Sequence, residues 1–230
     1  MVDWGRRGEG TEYMDGAGAT GEDLERALVE LSWINRFLGG ERATLGAFRK
    51  MGLKGSVEVL DVGTGAADIP VALVKWGRSI GVEIRVVAVD FNPVVCAWAA
   101  RHTRPFPEIE VRQGDAFALP FAPGSFDYVH GALFLHHFPQ PMAARLLQLL
   151  FGLCRRGLVI NDLHRHPLSF YPVKWGTALL SRSRMVQHDG PQSVLRGFAR
   201  GEVEELARQS GVPLSLQWRW AFRWVMTACK

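Results

Sequence analysis

Two hydrophobic rhythms organise this chain. From Glu22 the apolar positions Leu24, Leu28, Leu31 and Ile34 keep helical spacing as far as Gly39-Gly40, a glycine stop, so the pattern predicts a helix over 22–38. Short runs rich in β-branched residues follow: Val57 to Val62, Ile84 to Asp90, Ile109 to Arg112 and Phe126 to His130. They read as strands. A leucine-rich helical stretch from Pro141 to Leu153 then leads to a fifth run, Leu158 to Asp162. Strand alternating with helix predicts a parallel sheet with helices packed on its faces.

The last stretch changes period. Leu214, Leu216, Trp218, Trp220, Phe222 and Trp224 alternate with polar or small residues, which is the spacing of a strand. Its length exceeds an ordinary strand, so a hairpin turning near Trp220 to Phe222 is expected. Residues 1–21, rich in glycine and poor in apolar side chains, are expected to form a mobile leader ahead of a single domain over 22–230. Between about 165 and 200, Pro, Gly and Ser interrupt the rhythm around Phe170, Tyr171, Trp175, Met185 and His188, marking a candidate lid.

The chemistry concentrates after the first strand, in Leu60-Asp61-Val62-Gly63-Thr64-Gly65-Ala66-Ala67-Asp68. Gly63 and Gly65 stand where a backbone must take positive φ or let a ligand lie against it. A dinucleotide fingerprint wants its third glycine at position 68, but Asp68 stands there, an anion facing a pyrophosphate. Asp61 adds a second carboxylate and suits an ammonium better. No Gly-Lys-Ser/Thr follows, which excludes a phosphate loop of the Walker type. Two more acids close later strands: Asp90, at the distance of a ribose-binding carboxylate, and Asp115, placed to accept from an adenine amino group, with Ala116 beside it and Phe91 set to pack on an adenine face.

The order Asp-x-Gly-x-Gly, then Asp90, then Asp115-Ala116-Phe117-Ala118-Leu119-Pro120-Phe121 and Ser125-Phe126-Asp127-Tyr128-Val129 resembles class I S-adenosylmethionine-dependent methyltransferases of the UbiE-like subgroup. Ala67 departs from the family's usual last glycine. The resemblance implies a Rossmann-like, doubly wound α/β/α sandwich with a seven-stranded sheet whose last strand is antiparallel. It implies S-adenosylmethionine as cofactor and S-adenosylhomocysteine as product, held by Asp61, Gly63, Thr64, Gly65, Asp90, Phe91, Asp115 and Ala116. It also places the helix over 22–38 across the cofactor mouth.

Catalytic candidates lie beyond the carboxyl ends of the fourth and fifth strands, where ligands of open α/β sheets sit. They are His136, His137 and Asp162, with His164 and His166 farther on. A histidine suits removal of a hydroxyl proton near neutrality. The arrangement resembles natural-product O-methyltransferases with a His-His pair after the fourth strand, with His137 expected as base ahead of His136. No carboxylate-rich cation site accompanies them, so no metal is expected. An aromatic small-molecule acceptor, phenolic, polyketide-like or quinone-like, is favoured by the aromatic lid.

Composition narrows the class. With 47% hydrophobic and 22% charged residues the chain supports one well-buried domain. No run of eighteen apolar residues or signal-peptide core occurs, so a cytoplasmic protein without a membrane span is expected. Cys96, Cys154 and Cys229 are widely spaced and argue against a disulfide framework or zinc site. The net charge of +4 is spread along the chain, which disfavours a nucleic-acid partner. A nicotinamide-dependent oxidoreductase and a non-catalytic RNA-binding member of the same fold stay open as alternatives, as does a homodimer.

Overall fold

The computed structural model describes residues 2–15 and 21–230. Strands β1 (Ser56–Val62), β2 (Glu83–Asp90), β3 (Ile109–Gln113), β4 (Phe126–Ala132), β5 (Cys154–Leu163), β6 (Ser215–Arg219) and β7 (Arg223–Cys229) form one sheet in the order β3-β2-β1-β4-β5-β7-β6. The first five are parallel, and β7 runs antiparallel to both of its neighbours. The hairpin turn falls at 220–222, where the alternating pattern placed it. This is the Rossmann-like, doubly wound architecture expected from the sequence.

Helices cover both faces: α1 (Gly21–Phe37), α2 (Gly40–Met51), α3 (Asp68–Ile80), α4 (Pro93–His102), α5 (Gln140–Leu153), α6 (Pro167–Leu180), α7 (Arg184–Arg196) and α8 (Arg200–Ser210). Along β1, Val57 and Val59 join Phe48 of α2 and Leu73 of α3 on one side, while Leu60 and Val62 join Leu146 of α5 and Leu206 of α8 on the other. Burial on both faces explains why the parallel strands read as nearly continuous apolar runs. No described helix is long and apolar enough to cross a membrane.

Three boundaries differ from the sequence pattern. Gly39, in the left-handed conformation at φ 77°, ends one helix and at once starts another, α2, which the periodicity did not resolve. β5 begins directly at the end of α5, four residues earlier than its apolar run. The described part of the leader, residues 2–15, is anchored instead of hanging free; Met1 and 16–20 lie outside the described residues. Arg7 donates to the carbonyls of His136, Phe138 and Arg196 at 2.7–3.0 Å, and the Asp189 carboxylate accepts from Tyr13 N at 2.7 Å and Met14 N at 3.0 Å. A glycine-rich composition does not reveal such anchors, because each is a single polar group meeting a distant backbone. The candidate lid resolves into α6 and α7.

A buried polar chain crosses the sheet beneath α2. Asn161 Nδ2 donates to Thr44 Oγ1 at 3.0 Å and to the Gly40 carbonyl at 2.9 Å; the Thr44 hydroxyl lies 3.3 Å from His130 Nε2; and His130 Nδ1 lies 2.5 Å from Asp61 Oδ1. Since Thr44 accepts from Asn161, its proton is directed to Nε2, which leaves Nδ1–H to donate to Asp61. Replacing Thr44 by Val strands two buried partners. Thr44→Val is expected to lose about 1–3 kcal/mol of stability in urea unfolding; wild-type stability in that variant would show that the chain carries no weight.

Candidate active site

The strand order reverses between β1 and β4, and there the sheet opens beyond its carboxyl ends into a cavity of about 1540 Å³. The glycine turn forms its floor. Gly63 N and Thr64 N donate to the Val89 carbonyl at 2.9 and 3.0 Å, tying the turn to β2, and Gly65 N donates to Asp90 Oδ2 at 3.0 Å. Gly63 has φ 69°, and a Cβ there would lie 2.3 Å from the Phe134 ring. Around Gly65, by contrast, an added Cβ meets nothing within 4 Å, so its backbone faces open space. Ala67, in place of the family's glycine, adopts the same left-handed region at φ 56°. Thr64 Oγ1 is buried with no hydrogen-bond partner among the described residues and lines the cavity. An open glycine backbone beside a ready acceptor and an orphaned hydroxyl fits a bound nucleoside.

The predicted acids all line this cavity, with different amounts of spare bonding capacity. Asp90 Oδ1 accepts from Asn92 N at 3.1 Å, and burial pushes its carboxyl up despite the amide bonds. Both oxygens are therefore oriented, and each retains a lone pair for a ribose hydroxyl. Asp61 gives one oxygen to His130. Asp68 accepts from Asn35 Nδ2 at 2.7 Å, and burial, reinforced by nearby Asp61 and Glu41, holds its carboxyl up at about 6. Asp115 caps its own turn through Phe117 N at 2.9 Å. Phe91 is 73% exposed and belongs to the cavity wall, not the core.

Arg223 is a residue that sequence reasoning passed over. It looked like the polar half of an alternating strand. In the fold it is buried on the cavity wall, with Nε and Nη1 lacking hydrogen-bond partners among the described residues. Burial pushes its pKa down to about 10, with Asp162 and Asp68 opposing the shift, so it stays charged at neutral pH. A buried guanidinium without its hydrogen bonds is costly unless a ligand supplies them. Asp68 acts on it, and Asp61 in turn acts on Asp68, so carboxylates share this wall. The wall is thus matched to an amino acid's two charges.

The histidine pair sits across the cavity on a short 3-10 turn, Leu135–His137. His136 is buried: its Nδ1 lies 2.6 Å from Asp162 Oδ1, its backbone N donates to Asp162 Oδ2 at 3.0 Å, and its Nε2 is 3.5 Å from Glu12 Oε1. Burial opposes a charge here, but Asp162 and Glu12 outweigh it and hold the imidazole up at about 9. Asp162 therefore orients His136. His137 is half-buried on the cavity wall, its carbonyl bound by the Arg196 guanidinium. Glu12 arrives from the N-terminal segment, where no spacing could have announced it. Glu12, His136 and His137 bring donor atoms within 4.8 Å of one another. Arg196 Nη1, 3.4 Å from Glu12 Oε1, places a positive charge beside that cluster. His164 and His166 stand apart, the first beside Trp218 Nε1 at 3.2 Å and the second capping α6.

Residues 59–157 match the methyltransferase domain family. The chain is similar to demethylmenaquinone methyltransferases of Staphylococcus saprophyticus, 33% identical over 95 residues (41% of this chain and 40% of that protein), and of Lysinibacillus sphaericus, 32% identical over 92 residues (40% and 38%). It thus spans about two fifths of the curated relatives it matches. Among solved structures it resembles a SAM-dependent methyltransferase from Aquifex aeolicus, with TM-score 0.65, 17% identity and coverage of 91% of this chain and 99% of that one. It also resembles magnesium protoporphyrin IX methyltransferase from Synechocystis with bound S-adenosylhomocysteine, with TM-score 0.58, 14% identity and coverage of 93% and 90%. The fold is that of S-adenosylmethionine-dependent methyltransferases, residues 59–157 match a methyltransferase domain, and both support S-adenosylmethionine as the cofactor.

The imidazolium of His136 has a measurable signature. Its folded pKa of about 9 lies above the ~6.5 of a free imidazole. The folded state therefore holds the extra proton between those values, and stability is lost as pH rises through about 9. The loss amounts to roughly 3 kcal/mol. Urea unfolding from pH 6.5 to 10 is expected to show this decline in the wild type and a flatter profile in His136→Gln; parallel profiles would remove the charge from His136.

Proposed function

We propose that this chain transfers a methyl group from S-adenosylmethionine to a hydroxyl of a lipophilic aromatic or quinone-like small molecule. The observation that carries the reading is a single cavity with a nucleoside cradle, Gly65 and Asp90, on one side and an oriented histidine pair on the other. The demethylmenaquinone methyltransferases that the chain resembles support a quinone-like acceptor.

Bound S-adenosylmethionine supplies a methyl group on a sulfonium, whose transfer to oxygen leaves a neutral thioether. In this reading Asp90 holds the ribose, Asp115 and Phe91 flank the adenine, and Thr64 and the Gly63 turn shape the floor. Arg223 receives the carboxylate of the methionine end while Asp61 and Asp68 face its ammonium. His136, already protonated between Asp162 and Glu12, is a fixed positive wall that stabilises a developing phenolate. His137 is left to take the hydroxyl proton as the acceptor oxygen approaches the methyl carbon. The apolar walls from α1 and α6 exclude water and align the reactants.

Two measurements separate these roles. Asp90→Ala is expected to abolish binding of both S-adenosylmethionine and adenosine in calorimetry. Arg223→Met should weaken S-adenosylmethionine about tenfold, the worth of a charge-assisted pair, and leave adenosine unchanged; equal loss of both ligands would refute its carboxylate role. His137→Ala is expected to cut single-turnover methyl transfer about 100-fold while sparing cofactor affinity, and a full-rate variant would rule it out as base.

A further inference from the structure

Helix α6 turns its apolar side outward. Its buried side chains are Ser169, Phe170 and Thr177, whereas Leu168, Tyr171, Trp175 and Leu179 follow one another at helical spacing on the exposed side. Trp175 is 66% and Leu179 83% exposed. Leu168, at the start of this face, also lines the cavity, together with Trp33, Phe37, Trp220 and Phe222. Trp33 and Phe37, both exposed, stack at 5.3 Å on the last turns of α1. The carbonyl of Leu38 accepts from Ala221 N at 3.3 Å, which sets the exposed Trp220 of the hairpin turn beside it. Phe222 then stacks on His166, the cap of α6, at 5.1 Å, closing the rim. Scattered exposed apolar residues are ordinary, but a contiguous collar around one opening marks an interface.

Charge identifies the partner. The stretches that build this rim, 31–40, 163–188 and 206–230, contain no Asp or Glu, although the chain has 23. Arg36, Lys174, Arg182 and Arg184 are exposed within them. Of the five acids that flank these stretches in sequence, Asp162 and Asp189 are buried, Glu30 is held by the Ser181 hydroxyl and by Arg182 N, Glu205 is paired with Arg208, and Glu41 is half-buried. Tryptophans and leucines bordered by cations, on stretches that themselves carry no acid, match the boundary of a bilayer carrying anionic lipid: rings at the headgroup level, amines and guanidinia at the phosphates.

We propose that the collar formed by α6, the end of α1 and the β6–β7 turn docks on an anionic lipid bilayer and opens the cavity toward it. Docking stands on the surface alone; entry of a lipophilic acceptor from the bilayer rests on the methyl-transfer reading. The test is co-sedimentation of the full chain with phosphatidylcholine vesicles and with vesicles of phosphatidylcholine mixed with phosphatidylglycerol. Binding is expected to the mixed vesicles, to weaken with salt, and to fall at least about tenfold in Trp175→Asp/Leu179→Asp and in Lys174→Glu/Arg184→Glu. No binding to mixed vesicles overturns the proposal. So does undiminished binding of the variants, or a dimer in size-exclusion chromatography that the first double variant dissolves while vesicles go unbound. Calorimetry with S-adenosylmethionine on the same variants should give wild-type affinity, showing that they are folded. Absence of cofactor binding in the wild type would instead count against the methyl-transfer reading and leave the vesicle result standing.

Discussion

The contact between Asp61 and His130 fixes where everything else sits. The two residues are register partners on β1 and β4, the strands between which the order of the sheet reverses. Both are buried, and their 2.5 Å contact continues through Thr44 and Asn161 to the first residue of α2. A buried carboxylate is tolerated only with partners, so β1, β4, β5 and α2 must assemble together for any of them to be satisfied. The same constraint holds the end of β1 in place, and with it the glycine turn that follows.

A second polar assembly closes the opposite side. Arg7 and Arg196 both donate to the carbonyl of His136, Arg196 also to that of His137, while Glu12 and Asp162 flank the His136 ring. Cations bind the turn's carbonyls and anions bind its imidazole, so the 3-10 turn is held from both ends. Ser193 of α7 donates to Glu12 at 2.7 Å, coupling the N-terminal segment to that helix. Residues 2–15 are thus held partly by the histidine turn, through Arg7 and Glu12, and partly by α6 and α7, through Trp4 on Phe170 and the backbone of Tyr13 and Met14 on Asp189. On the other wall, buried Arg223 keeps Nε and Nη1 without partners among the described residues, with the half-buried Asp68 close enough to act on its charge. One cavity thus combines a polar end with apolar walls.

Much of this was legible in the chain because it depends on local or periodic physics. Strand burial on both faces produced continuous apolar runs, and the alternation of Leu214 to Trp224 announced the hairpin. Positive φ and close backbone approach required Gly63 and Gly65, and the acids closing successive strands pointed to the cofactor. His136, His137 and Asp162 could be grouped because strand ends in a parallel sheet converge. What the chain order could not convey was division of labour: which histidine Asp162 would take, that Asp61 would be shared with His130, and that α2 would begin where α1 stopped.

The sequence by itself determined the sheet, the glycine turn and the edge of the sheet at which the cavity opens, because each follows from spacing within a strand, a turn or a helix. Only the tertiary structure decided that Glu12 and Arg7 reach the histidine pair across the chain, that Arg223 turns inward from an alternating strand, and that α6 presents leucine and tryptophan outward. These are contacts between residues far apart in sequence, set by how faces pack, and periodicity carries no record of which face of an element finds a partner.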